Sequence, residues 1–165
     1  KTDFGFGGVE HIFLGDDNLI SQASKTLNTQ MAEGKTINCF DCASFLADGS
    51  LPQLVEGGGY FDSAYPRLIE GLYTDKFQDA GSTSNMVFGQ SVTTFGEEGF
   101  FGGKNIVHAA TFLGESQGGV EYFFSKNGAL PTDTHGIFTG DYLNSLYGKP
   151  MGFQDGQSGY YNLKY

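Results

Sequence analysis

At 165 residues the chain has room for one domain with a real core and too little for two, so residues 1–165 are read as a single domain. A net charge of -10 argues against nucleic acid, whose phosphates demand a basic face, and against anionic membrane surfaces. It fits a small-molecule, peptide or protein substrate, or a basic partner such as an inhibitor. No apolar run reaches membrane-span length and residues 1–8 lack the apolar core of a signal peptide, so the expectation is a soluble chain whose export signal, if it has one, was removed or lies in a larger parent.

In chain order, Val9 to Leu14 reads as an apolar turn, and Asp16-Asp17-Asn18 as the cap of a helix over Leu19 to Ala32 with Leu19, Ile20, Ala23, Leu27 and Met31 at helical spacing. A short apolar helix follows from Cys39, closed by a turn over Ala47 to Ser50. Then come Leu51 to Val55, the glycines 57–59, and a short helix or extended connector over Tyr65 to Tyr73, with Pro66 near its start. From Met86 the character turns to β. Met86 to Phe88, Ser91 to Phe95, Ile106 to Leu113 and Val120 to Ser125 are bounded by Gly-rich turns and predict one antiparallel sheet. Phe100-Phe101-Gly102-Gly103 reads as a loop at the rim of a cleft. Phe138 to Tyr147 returns to helix, and the Gly- and Tyr-rich tail from Gly148 is expected to add an edge strand or wrap the sheet.

The chemistry concentrates in two segments. Asn38-Cys39-Phe40-Asp41-Cys42 sets a thiol where a polar loop becomes a helix, and the positive end of the backbone dipole there favours thiolate over thiol. Some seventy residues later, Asn105-Ile106-Val107-His108-Ala109-Ala110-Thr111 places one imidazole near the start of an apolar run, and a nucleophilic Cys needs such a base. Taken singly, each residue has a plainer reading. Cys is among the most buried residue types, and a lone His on a strand is usually a satisfied core or edge group. Cys39-x-x-Cys42 is half a zinc spacing with no second half, and neither a redox centre nor a metal is called. His135 reads as a solvated loop residue.

Asn38-Cys39 with Ala43 and Phe45-Leu46 resembles the nucleophile helix of bacterial NlpC/P60-like domains of the papain-like superfamily. His108-Ala109-Ala110-Thr111-Phe112-Leu113-Gly114 is similar to that family's His-bearing strand, and Val120 to Gly128 to the strand after it. Leu143 to Gly148 is similar to the Leu-x-x-x-Tyr-Gly of versions appended to large toxin proteins. The likeness covers roughly residues 35 to 148, with an insertion between the Cys and His segments. It implies an α+β fold of the papain-like, NlpC/P60 type, a nucleophile helix packed on an antiparallel sheet, and no cofactor. Cys42 also fits, through the commoner Asp-Cys-x-x-Phe form of the helix. Cys39 is preferred because a helix from there runs about ten residues against seven, nearer ordinary lengths.

The family's third catalytic position lies on the strand after the His, where this chain has no His. If the two strands turn over Glu115 to Gly119, Ser125 faces His108, Asn127 is next on the same face and Lys126 points away. Asn127 accepts from the imidazole N–H and fixes its tautomer; Ser125 does so more weakly. The expected activity is amide hydrolysis by a peptidase, amidase or deamidase, secreted or delivered into a target cell. Its substrate is a peptidoglycan stem peptide or a target-protein amide, and an immunity or inhibitor protein is its expected partner. The rival reading is a non-enzymatic carbohydrate- or protein-binding module with structural cysteines.

Overall fold

Beyond Gln90 the chain is rich in β-branched and aromatic residues between Gly-rich turns, and the central strands are buried in continuous runs because both faces of the sheet are covered. The computed structural model describes residues 2–3, 11–12, 25, 28–29, 32, 38–48, 65–127 and 135–164. Strands β4 (Ser91–Glu98), β5 (Lys104–Glu115) and β6 (Glu121–Lys126) pair as an antiparallel meander, and β7 (His135–Thr139) extends it beyond β6. On the other flank, β9 (Tyr160–Leu163) lies between β4 and β3 (Phe77–Asp79), and β8 (Lys149–Pro150) pairs the end of β4. The result, among the described residues, is an open seven-stranded antiparallel sheet in a mixed α+β fold. A separate antiparallel pair joins β1 (Thr2–Asp3) to β2 (His11–Ile12), within the expected apolar turn.

Helices α1 (Cys39–Asp48) and α3 (Gly140–Tyr147) belong to opposite faces of the sheet. On one face Cys39, Phe40, Ala43 and Ala47 of α1 pack with Val92 of β4, Ala109 of β5 and Tyr161 of β9. The small Ala43 and Ala109 bring backbones close, and Thr111 Oγ1 donates to the Ala43 carbonyl at 3.1 Å. Helix α2 (Tyr65–Lys76) adds Tyr73, whose hydroxyl donates to the Phe40 carbonyl at 3.2 Å and whose ring stacks on Phe77. The other face carries Phe95, Ala110, Phe112 and Phe123, capped by Leu143 of α3. Each such ring contributes about 1.5–3 kcal/mol by leaving water.

A bulge interrupts the β4–β5 ladder. Phe95 pairs His108 and Gly96 pairs Ile106, so the register shifts by one residue at Val107. Ile106 and Ala109, three apart, therefore both face α1, which strict alternation forbids. Gly96 makes the close approach workable, since a Cβ there would meet the Asn105 carbonyl.

Several expectations need correction. Met86 to Phe88 is not a strand: Gly89 turns with φ +68°, and the Gln90 and Ser91 N–H groups both donate to the Val87 carbonyl at 3.1 Å. Phe138 and Thr139 close β7 instead of opening a helix, because Thr139 Oγ1 accepts from the Tyr142 N–H at 3.2 Å and caps α3 from outside. His135 is no solvated loop residue; it begins β7, half-buried and paired with Lys126. In the tail, β9 is interior to the sheet, not an edge strand. Of the helix expected over 19–32, Lys25, Asn28, Thr29 and Ala32 are described and are helical. The elements expected over 51–55 and 57–59 lie outside the described residues.

Candidate active site

Helix α1 begins at Cys39 and runs ten residues, the start preferred over Cys42. The Asn38 carbonyl accepts the Cys42 N–H at 3.0 Å, the first i to i+4 bond of the helix. Cys39 is buried, and its Sγ–H donates to the Val107 carbonyl at 3.9 Å. The start of the helix thus meets β5 one residue before His108. Cys42 sits one turn on, fully buried.

His108 lies at the centre of the sheet and is 1% exposed. Its ring stacks on Tyr147 with centroids 3.7 Å apart and planes 5° from parallel, and Phe95 flanks it at 6.0 Å. These neighbours, with Ala110 and Phe112 further along β5, define the face that α3 covers. Cys39 lies on the opposite face with Ala109. The structure therefore brings thiol and imidazole to neighbouring levels of one strand but not to the same side of the sheet. Burial holds the His108 imidazole down to a pKa of about 3, so the ring is neutral in this arrangement.

Ser125 and Asn127 do join His108. Ser125 Oγ lies 2.7 Å from His108 Nε2 and donates to Asn127 Oδ1 at 2.9 Å. A hydroxyl has one hydrogen, and Ser125 gives it to Asn127, so Nε2 must be the donor toward Ser125. The imidazole is then fixed as the Nε2–H tautomer, with its lone pair on Nδ1. Hydrogen bonding between the strands closes over Ser116 to Gly119, and Thr111 pairs Phe124; continued, that register sets Asn127 level with His108 and Ser125 level with Ala110. The expected register placed Ser125 opposite His108, two residues off. A shift of two leaves every side chain on its face, so both polar groups still meet the ring and fully buried Lys126 still points away.

Tyr147 escaped the sequence reading as a site residue. It is the last residue of α3, and Gly148 follows with φ +93°, where a Cβ would meet the Gly96 carbonyl at the bulge. Nothing local in Leu143-Asn144-Ser145-Leu146-Tyr147 signals a ring seated on an imidazole. The signal, if any, is the Tyr-Gly pair, since only glycine suits that close, left-handed helix end. Among the described residues no three His, Cys, Asp or Glu side chains gather as a metal site. No protein-family model matches the chain, and neither a curated protein nor a solved structure does.

Proposed function

We propose that this chain is a thiol-dependent amide hydrolase of papain-like, NlpC/P60 type, with Cys39 as nucleophile and His108 as base. The observation that carries the reading is the start of the Cys39 helix against β5, where the thiol donates to the Val107 carbonyl one residue before His108. In the reaction Nδ1 takes the thiol proton, and the Cys39 sulfur attacks the amide carbonyl carbon. N–H groups of the first turn of α1 hold the oxyanion. The imidazolium returns its proton to the departing amine; water then cleaves the thioester, releasing the acid and restoring the thiol. The reading requires the thiol and the imidazole on one side of β5, whereas here Cys39 packs on the α1 face and His108 is held by Ser125 and Asn127 on the α3 face. The substrate class is a peptide or protein amide; acidity favours a target-protein amide over wall peptides held among anionic polymers. The domain is read as secreted or delivered, with an immunity or inhibitor protein as partner.

A second reading, a non-enzymatic binding module with structural cysteines, is favoured by the burial of both thiols and the separation of Cys39 from the imidazole. Iodoacetamide alkylation of the native chain, mapped to each Cys by mass spectrometry across pH, separates the two. The hydrolase reading expects Cys39 to react near neutral pH at least about 10-fold faster than Cys42, with His108→Ala shifting the midpoint upward. Thiols that resist until the chain unfolds mean the binding module.

A further inference from the structure

Between β4 and β5 the chain makes a turn that the core does not use. The Gly99 N–H donates to the Gly103 carbonyl, the Gly102 N–H donates to the Gly99 carbonyl at 2.9 Å, and Gly102 adopts φ +78°. At the tip stand Phe100 and Phe101, 99% and 98% exposed, their rings edge-to-face with centroids 5.7 Å apart. Two neighbouring rings wholly in water on a hydrogen-bonded turn have the form of a preorganised anchor, since aromatic side chains filling a pocket dominate interface energetics.

The charges around the tip select the occupant. Glu97 and Glu98 lead into the turn. The lysines nearby are already engaged, Lys104 with Asp155 at 3.5 Å and Lys149 with Glu98 at 3.8 Å. Three carboxylates against two ammonium groups, on a chain of net charge -10, repel an anionic bilayer and a second copy alike. We infer that Phe100 and Phe101 dock into an apolar pocket on a separate folded protein, a pocket whose rim carries Lys or Arg side chains that meet Glu97 first and compete with Lys149 for Glu98. This surface does not depend on the activity proposed above.

The test starts from the full chain carrying Phe101→p-benzoylphenylalanine, irradiated in the cell that encodes it; the cross-linked protein is identified, purified and titrated against the unmodified chain. The expected result is one protein adduct whose affinity falls about 30-fold or more with Phe100→Ser/Phe101→Ser at unchanged melting temperature. Glu97→Gln/Glu98→Gln should weaken it about 3-fold and flatten its dependence on salt. The inference is overturned by the lack of any adduct, by an affinity indifferent to loss of both rings, or by an adduct pocket without basic residues. It is equally overturned if the ring pair instead drives flotation with phosphatidylcholine vesicles, or a concentration-dependent dimer in sedimentation.

Discussion

The two faces of the sheet are covered by different means. On the α1 side alanines face one another and the backbones come close enough for Thr111 to reach the Ala43 carbonyl. On the α3 side the space is filled by rings, with Phe95, Phe112 and Phe123 meeting edge-on. The first face sets a helix terminus and a buried thiol against a strand. The second excludes water, and the imidazole seated in it is neutral. Cys39 and His108 thus sit in different surroundings on opposite faces of β5, and the bulge at Val107 lies between them.

The largest effect expected from this contrast is an acid one. The folded-state pKa of His108 lies below its ordinary value, so the unfolded chain binds the proton more readily and stability falls as pH drops. The loss begins near pH 6.5, proceeds at up to about 1.4 kcal/mol per unit and levels off near pH 3, on the order of 4–5 kcal/mol in all. Urea unfolding across that range should give a flatter curve for His108→Asn than for the parent. Equal slopes would mean that the ring is not buried neutral. Glu121 works in the opposite direction, because burial and the neighbouring Glu115 and Asp141 raise its carboxyl.

The packing contrast predicts different penalties on the two faces. Phe123→Ala removes a fully buried ring from the α3 side and should cost about 3–5 kcal/mol. Ala109→Leu overfills the close helix contact on the α1 side and should cost about 1–3 kcal/mol. Denaturation midpoints for the pair decide; if the order reverses, the α1 interface is tighter than its alanines imply.

The smallest effects concern the proton chain. Ser125→Ala leaves the His108 Nε2–H buried without its acceptor and should cost about 1–3 kcal/mol, whereas Asn127→Ala leaves that bond in place and should cost about 0.5–1.5 kcal/mol. The imidazole 15N shifts offer a separate readout. Both variants should alter the balance of Nε2–H and Nδ1–H forms, Ser125→Ala more strongly. A tautomer balance unchanged in both would remove Ser125 and Asn127 from any orienting role.

Much of this arrangement follows from local rules that the sequence obeys. The helix start at Cys39 comes from the change of a polar loop into an apolar run. The strand cores at 91–95 and 106–113 come from composition and from the Gly-rich turns that bound them. The parity of Ser125 and Asn127 against Lys126 survives even a register misjudged by two, because a period of two is indifferent to even shifts. Long-range structure alone decided the rest. β9 returns from the tail to fill a place between β3 and β4, a pairing across some seventy residues that no local pattern announces. The stack of Tyr147 on His108 depends on Gly148 docking at Gly96. Above all, which face of the sheet holds the imidazole is set by a bulge and by the side on which the helix packs, and both are settled only when distant segments compete for the same strand.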